Sequence, residues 1–191
     1  VRSRGLGDVY KRQSVSTQSA GAPTRAPSAA LTTPPAADER APDEFTAVLT
    51  TTKGEITLRV HRAWSPKGAD RFYTLVRLGY YDDVAFFRVI TGFMAQVGIH
   101  GSPEVNAAWR MRRIEDDPVV QSNTRGRVSF ATSGPNSRTT QFFINFGNNA
   151  NLDGMGFSPF AEVVDMTVVD SLYAGYGEGA PGGRGPSQGR M

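Results

Sequence analysis

Hydrophobic and polar residues alternate along two neighbouring segments, 45–49 and 55–60, and Lys53-Gly54 lies between them. Alternation is typical of a strand with one buried face, and a short Gly-containing connection between two such segments predicts a β-hairpin. Short segments of similar character predict five more strands, at 84–90, 93–97, 127–131, 141–145 and 160–163. The chain is therefore expected to be mainly β.

Two segments have a helical pattern instead. Ser65-Pro66 is typical of an N-cap followed by the first helical position. The apolar residues that follow recur at positions i, i+3, i+4 and i+7: Ala69, Phe72, Tyr73 and Val76. This spacing predicts an amphipathic helix that ends at Gly79, and a second helix is predicted at 165–173. Many short strands with turn signals are typical of a β-barrel or a β-sandwich.

The two ends of the chain differ from this central part. Residues 1–13 begin with Val and resemble a translated adapter read-through, so we exclude them from the fold. Residues 14–44 are rich in Ala, Pro, Ser and Thr and contain only two large apolar residues, which predicts a disordered linker. Such linkers occur in cytosolic proteins but often follow a signal peptide or lipid anchor, so an exported or periplasmic location is favoured. Residues 174–191 are predicted to form a Gly- and Pro-rich loop.

Composition excludes several classes of function. The 191-residue chain has no Cys, which excludes a thiol nucleophile, a Cys-ligated zinc ion and a disulfide, and its two His are too few for a His-built metal site. It has no apolar run of about 18 residues that could span a membrane. Its net charge of +3 belongs to residues 1–13, so the remainder lacks the basic stripe of a nucleic-acid-binding protein. Neither a nucleophile elbow nor a P-loop motif occurs, and the acidic run at 115–117 predicts a solvated turn.

Three sequence blocks carry the candidate chemistry. Residues 86–98 match Phe-x-Arg-Val-Ile-x-Gly-Phe-Met-x-Gln-x-Gly, residues 134–144 contain Gly-Pro-Asn and then Gln-Phe-Phe-Ile, and residues 152–154 read Leu-Asp-Gly. In this order and spacing, the blocks resemble the cyclophilin-type peptidyl-prolyl cis-trans isomerases over about residues 45–173. The resemblance implies an eight-stranded antiparallel β-barrel capped by two α-helices, with a proline-binding groove on its outer face and no cofactor. The loop at 99–123 resembles bacterial members of the family.

The resemblance also implies roles for individual residues. Arg88 matches the family's catalytic arginine. The walls of the family's proline pocket are matched by Phe93, Met94, Phe143 and Leu152. Its polar rim is matched by Gln96 and Gln141. The stretch that pairs with the substrate backbone is matched by Ala131 and Thr132. Phe157 is the best candidate for a wall that a histidine forms in many members. Read without the resemblance, the apolar residues of this set could equally be barrel core, and Arg88 a solvated strand residue.

The chemistry of such a site can be argued independently. Rotation about an X–Pro bond faces a barrier of about 18–20 kcal/mol, because amide resonance is lost in the twisted state. A catalyst needs no nucleophile, base or metal, but it must bind the twisted amide better than either planar isomer. Together with this chemistry, the resemblance implies an isomerase that acts on X–Pro bonds in peptides and unfolded proteins, and we expect it to be a monomer. The alternatives are a non-catalytic proline-peptide-binding module or chaperone, and a barrel that binds a small ligand in its interior.

The sequence departs from the family pattern in two places that change the expectations. Asn151 stands where many members have Trp before Leu-Asp-Gly, which implies weak cyclosporin binding. The family closes its barrel with a C-terminal strand, and no such strand is readable after the second predicted helix. We therefore expect a fragment whose last strand is missing. Such a fragment would have an open sheet edge beside the first strands and a lower stability than a chain that contains the strand.

Overall fold

The computed structural model describes residues 13–15, 29–175 and 178. Its strands are β1 Gln13–Val15, β2 Glu44–Thr51, β3 Gly54–His61, β4 Arg88–Ile90, β5 Met94–Val97, β6 Arg127–Phe130, β7 Phe142–Asn145 and β8 Pro159–Val163. Its helices are α1 Ala29–Thr32, α2 Pro66–Leu78, α3 Pro103–Trp109 and α4 Thr167–Asp170, with a 3₁₀ helix at Ala150–Met155. The predictions made for residues 1–12, 16–28, 176–177 and 179–191 lie outside the described residues.

The strands form one sheet in the order β1-β2-β3-β8-β6-β7-β5-β4. Strands β2 to β8 pair antiparallel and correspond to the seven predicted strands, which confirms a mainly β fold, here a curled half-barrel. The predicted strand at 84–90 is shortened to 88–90, although the Phe87 N–H still donates to the Gln96 carbonyl at 3.1 Å. The outer edge of β2 is paired in parallel with the three-residue strand β1. The first residue of β1 belongs to the segment set aside as a read-through, and the other two belong to the predicted disordered linker.

The main core lies between the concave face of the sheet and helix α2. Phe72 of α2 packs against Phe142 and Phe160, with ring centroids 5.5 and 5.1 Å apart. The helix ends, as predicted, at Gly79, whose left-handed backbone (φ 75°) directs its N–H back to carbonyls of the last turn. The predicted helix at 165–173 is shorter, because only residues 167–170 are helical. No helix in the described residues is long and apolar enough to cross a membrane.

Asp117, and not Ser65, satisfies the first N–H groups of α2. Its carboxylate accepts hydrogen bonds from the Lys67 and Gly68 backbone N–H groups at 3.1 and 2.9 Å and from Ser65 Oγ at 2.6 Å. Arg138, 1% exposed, donates to the same carboxylate at 3.2 Å. Burial alone would raise the pKa of Asp117, but these hydrogen bonds and the charge of Arg138 outweigh it and lower the pKa. The solvated turn predicted for 115–117 is thus wrong at its last residue, which is buried.

Residues 29–44, which we call the N-terminal clasp, lie against α2 and α3. Leu31 and Ala41 of the clasp are buried, and Trp109 Nε1 donates to the Leu31 carbonyl at 2.9 Å. Arg71 of α2 donates to the Asp38 carboxylate at 2.8 Å. The clasp differs from the disordered linker predicted for this stretch. Disorder was predicted because the stretch contains few large apolar residues. Composition does not reveal the ion pair and the hydrogen bonds that attach the clasp to the domain.

Candidate active site

Strands β5 and β7 present alternate side chains to two different apolar clusters. Successive residues of a strand point to opposite faces, so Ala95 and Val97 of β5 lie in the main core while Met94 lies in a second cluster. The same alternation in β7 places Phe143 in the second cluster and its two neighbours in the core. The sequence pattern left open whether these residues were core or pocket wall, and the structure separates the two sets.

The second cluster forms what we call the apolar lobe of a cavity. Met94, Phe143 and Leu152 are 2%, 4% and 6% exposed, and Ile90, Phe93, Ala131 and Phe157 pack against them. The Phe143 and Phe157 rings meet edge to face with centroids 5.6 Å apart. This geometry gives a small concave surface lined by aromatic and thioether groups, which is suited to a compact apolar ring.

Leu152 and Phe157 reach the apolar lobe from the 3₁₀ helix and the residues after it. Asp153 fixes this helix, because its carboxylate accepts hydrogen bonds from Ser122 Oγ at 2.5 Å and from the side-chain and backbone N–H groups of Asn123 at 2.7 and 2.8 Å. Asn123 Nδ2 also donates to the Phe157 carbonyl at 2.8 Å. Burial would raise the pKa of Asp153, but these donors lower it overall. Asn151, the position associated with cyclosporin, is exposed.

Arg88 stands at the edge of the apolar lobe and begins a chain of polar side chains. It pairs across strands with Gln96, and its Nη1 donates to Gln96 Oε1 at 3.2 Å. Gln96 Nε2 in turn donates to Gln141 Oε1 at 2.8 Å. The guanidinium carbon of Arg88 lies 6.0 Å from the centroid of the Phe93 ring. The arginine is thus held beside an apolar surface, with its side chain 27% exposed.

All ten sequence-predicted site residues line one cavity of about 420 Å³. They are Arg88, Phe93, Met94, Gln96, Ala131, Thr132, Gln141, Phe143, Leu152 and Phe157. The first two sequence blocks become neighbours because β4 pairs with β5, β5 with β7 and β7 with β6. The third block lies in the 3₁₀ helix, which the hydrogen bonds of Asp153 hold beside them. Their roles in binding and catalysis stay predictions.

The loop after β6 presents backbone groups to the cavity. The Ala131 N–H donates to the Gln141 carbonyl at 2.9 Å, which continues the β6–β7 pairing by one residue. Thr132 Oγ1 bonds the Gly134 carbonyl and Ser137 Oγ at 2.5 and 2.8 Å, so its hydroxyl is used within the loop. Within the described residues, no partner is found for the Thr132 backbone N–H and carbonyl, which leaves both groups available to an extended peptide.

Six further residues belong to this region although the sequence did not single them out. Five of them line the same cavity and form what we call its polar lobe: Arg110, Arg113, Ser133, Ser137 and Thr139. The sixth, Glu178, accepts hydrogen bonds from Arg88. The arginines lie in the loop at 99–123 and Glu178 in the Gly-rich stretch, where neither strand alternation nor helical spacing indicates which side chains reach the cavity.

A buried polar layer supports the segment that carries Gln141 into β7. The Tyr80 hydroxyl donates to the Gly98 carbonyl at 3.2 Å and lies 3.2 Å from Thr140 Oγ1, and burial raises the pKa of Tyr80 to about 12. Gly98 has φ of 114°, and a Cβ there would lie 2.4 Å from the Thr140 carbonyl oxygen and 2.7 Å from Gln141 Cα. Only glycine permits this approach.

The cavity is lined by guanidinium, amide, hydroxyl and apolar groups. Within residues 29–175, together with Glu178, no group of three or more His, Asp or Glu side chains is arranged to hold a metal ion. Such a lining can hold a peptide by its backbone and an apolar side chain, and it can offer a fixed positive charge to one atom of an amide.

Comparison with known proteins agrees with this fold and motif set. The sequence model of the family described as "Cyclophilin type peptidyl-prolyl cis-trans isomerase/CLD" matches residues 46–182. A crystal structure of a cyclophilin-type peptidyl-prolyl cis-trans isomerase from Cryptosporidium parvum superposes with a TM-score of 0.57 and 25% identity, covering 65% of this chain and 81% of that one. A second structure of that protein, in the presence of the dipeptide Ala-Pro, gives a TM-score of 0.56 at 24% identity, covering 65% and 82%.

Relatives with similar sequences have names that give this activity. Peptidyl-prolyl cis-trans isomerase-like 3 of Mus musculus is 34% identical over 132 residues, which cover 67% of this chain and 81% of that protein. Peptidyl-prolyl cis-trans isomerase cypE of Dictyostelium discoideum is 39% identical over 114 residues, covering 58% and 73%. Both relatives are eukaryotic and give no support to the predicted bacterial character of the 99–123 loop. The resemblance inferred from the three sequence blocks is confirmed, and the chain belongs to the cyclophilin-type peptidyl-prolyl cis-trans isomerases.

Proposed function

We propose that Arg88 is the catalytic residue of this isomerase and that the apolar lobe binds the proline ring. As the X–Pro amide twists, its lone pair localises on the prolyl nitrogen and becomes a hydrogen-bond acceptor. A guanidinium stays protonated at any relevant pH and can donate to that nitrogen while its other nitrogens remain bonded elsewhere. The observation that carries the proposal is the position of Arg88, bonded to Gln96 beside the Phe93, Met94 and Phe143 wall.

Arg88 and the cavity each contribute to lowering the barrier to rotation. A charge-assisted hydrogen bond contributes about 1.5–3 kcal/mol. Since about 1.36 kcal/mol corresponds to a tenfold change in rate, Arg88 accounts for roughly one to two powers of ten. The rest of the rate acceleration comes from the apolar lobe, which binds the proline ring and excludes water. Exclusion of water strengthens the interaction of the arginine charge with the twisted amide. The polar chain through Gln96 and Gln141 keeps the guanidinium oriented, so little reorganisation is needed during the reaction.

The substrate we propose is a proline-containing segment of a peptide or unfolded protein, bound by a single copy of this chain. The free backbone groups of Thr132 are positioned to pair with an extended backbone, while the ring enters the apolar lobe. The dipeptide Ala-Pro, in whose presence the Cryptosporidium parvum relative was crystallised, has the minimal chemistry of such a substrate. The proposed monomeric state is checked by sedimentation equilibrium at the concentrations used for the assay.

The decisive experiment follows cis-to-trans isomerisation of an Ala-Pro-Phe-type peptide with the wild type, Arg88→Ala and Arg88→Lys. We expect kcat/KM to fall about 10- to 100-fold in Arg88→Ala. Arg88→Lys should lose most of this activity too, because an ammonium lacks the planar fork that bonds Gln96 and substrate together. Equal activity of wild type and Arg88→Ala would refute the catalytic role. A folded wild type that binds the peptide without accelerating it would favour the non-catalytic binding module.

We also propose that cyclosporin binds weakly. Asn151 is exposed at the start of the 3₁₀ helix and does not line the cavity, so it offers no aromatic surface to a bulky apolar ligand. Calorimetric titration of the wild type and Asn151→Trp tests this proposal. We expect Asn151→Trp to bind cyclosporin at least tenfold more tightly while its isomerase activity changes little. Tight binding by the wild type would contradict the proposal.

A further inference from the structure

The polar lobe of the cavity carries two arginines that the isomerisation chemistry does not use. Arg110 follows helix α3 and Arg113 lies three residues later, and both are exposed while lining the cavity that also holds Arg88. Within the described part of the chain, neither guanidinium has a hydrogen-bond or ion-pair partner. Two uncompensated cations beside a peptide-binding surface favour an anionic partner.

The backbone on which these arginines stand is fixed on both sides. Arg112, between them, donates to the carbonyls of Pro34, at 2.9 Å, and Pro35 in the N-terminal clasp. The Ile114 N–H donates to the Arg138 carbonyl at 3.0 Å, which joins this segment to the loop before β7. Buried Arg71 donates to the carbonyls of Arg112 and Thr139 at 2.5 and 3.1 Å and so links the two sides of the polar lobe. The arginines therefore project from an anchored segment.

The acidic residues nearest in sequence are engaged elsewhere. Glu115 pairs with Lys67, while Asp116 and Asp117 lie 3.4 and 3.2 Å from nitrogens of Arg138. Three arginines thus line the cavity, and the one carboxylate bonded to any of them within the described residues is Glu178, on Arg88. The polar lobe keeps a net positive charge. Its Ser133 and Ser137 hydroxyls donate to Ser137 Oγ and to the Gly134 carbonyl within the loop, whereas the Thr139 hydroxyl can donate a hydrogen bond to an oxygen of an anion.

We infer that Arg110 and Arg113 give the enzyme a preference for X–Pro substrates that carry an anionic side chain close to the proline. The inference rests on the proposed function, because it needs the proline ring in the apolar lobe and the peptide running past Gln141 into the polar lobe. The recognised chemistry is an oxyanion, which either a carboxylate or a phosphorylated hydroxyl provides. Exposed ion pairs are individually weak, so two of them correspond to about a three- to tenfold gain in kcat/KM at low salt.

The test compares peptides that differ at one position. A neutral reference peptide carries Gln at each of the three positions before and the two after an Ala-Pro unit, and each Gln is replaced in turn by Glu and by phosphoserine. The quantity measured is the ratio of kcat/KM for the anionic peptide to that for the neutral one. We expect at least one position to give a ratio of about three to ten for wild type at 20 mM salt, and a ratio near one at 500 mM salt.

The matched variants remove two positive charges inside or outside the polar lobe. Arg110→Gln with Arg113→Gln should lower the ratio to about one. Arg40→Gln with Lys53→Gln, which changes net charge equally at exposed positions that do not line the cavity, should keep the wild-type ratio. A higher ratio for phosphoserine than for Glu identifies a phosphate preference, and equal ratios identify a general preference for oxyanions. A wild-type ratio near one at every position, or an equal fall in both double variants, overturns the inference.

Isomerisation of the neutral peptide tests the proposed function separately from the anion preference. If the neutral peptide is not isomerised faster in the presence of wild type, the proposed catalytic role fails. Fluorescence anisotropy with the same peptides then decides the inference from binding alone. Tighter binding of an anionic peptide to wild type than to the Arg110→Gln, Arg113→Gln variant would support it, and equal binding would overturn it.

Discussion

Glu178 accepts hydrogen bonds from two nitrogens of Arg88, from Nε at 2.9 Å and from Nη2 at 2.5 Å. The third nitrogen, Nη1, is bonded to Gln96. The hydrogen bonds from Arg88 lower the pKa of Glu178, so the carboxylate is ionised at neutral pH. A residue of the Gly-rich stretch thus occupies one edge of the guanidinium that we propose for catalysis.

Replacing Glu178 by Gln is expected to raise kcat/KM about two- to fivefold. The carboxylate competes with the substrate for Arg88 and neutralises part of its charge, and an exposed ion pair of this kind is worth little free energy. The measurement is isomerisation of a neutral Ala-Pro peptide at low salt. Glu39→Gln is the matched control, because Glu39 pairs with Arg77 at 3.2 Å at a position that does not line the cavity. A fall in activity in Glu178→Gln alone would show that the carboxylate orients Arg88 instead of competing with substrate.

Replacing Gln96 by Leu is expected to lower kcat/KM about five- to twentyfold with a small change in KM. Leu occupies similar space, but it leaves Arg88 Nη1 and Gln141 Oε1 without the partner that fixes them. A mobile guanidinium must be oriented during the reaction, so the loss should fall on kcat. Steady-state kinetics give the two parameters, and a thermal melt verifies the fold. An unchanged kcat would mean that Arg88 does not depend on Gln96 for its position.

Local sequence patterns predicted some elements of this structure and missed others. Alternation identified β2 and β3, each of which has one buried and one more exposed face, and β4 to β8 were recognised as further short strands. The resemblance carried by the motif blocks identified ten cavity residues, which strand pairing and the hydrogen bonds of the 3₁₀ helix bring together. Arg110 and Glu178 lie on segments without periodicity, whose position depends on long-range contacts such as those of Arg71 and Arg112. The N-terminal clasp was missed for a related reason, since polar contacts from distant residues hold it and its own composition carries no signal of them.

Replacing Asp117 by Asn is expected to destabilise the domain by about 3–5 kcal/mol at pH 7, because it removes the buried carboxylate that pairs with the buried Arg138 and leaves only the more distant Asp116, at 3.4 Å. The lowered pKa of Asp117 also fixes a pH dependence. Its carboxylate stabilises the fold fully above the ordinary Asp pKa, and this contribution is lost as pH falls through the lower pKa of the folded state. Urea unfolding at pH 7 and pH 3 should therefore show a large difference between wild type and Asp117→Asn at pH 7 and a smaller one at pH 3. An equal difference at both pH values would contradict the assignment.

Replacing Asp38 by Ala is expected to destabilise the domain by about 2–4 kcal/mol. Asp38 is the carboxylate partner of Arg71, whose side chain is 6% exposed, so the substitution leaves a buried guanidinium bonded only to carbonyl groups. Asp43→Ala is the control within the same clasp, because the Arg40–Asp43 pair is exposed and its loss should cost less than about 1 kcal/mol. Urea unfolding of both variants measures the free energies. Equal, small effects would mean that the N-terminal clasp contributes little to stability. A loss confined to Asp38→Ala would establish that residues ahead of the first long strand, β2, are part of the folded domain and hold the segment between Arg110 and Arg113 in place.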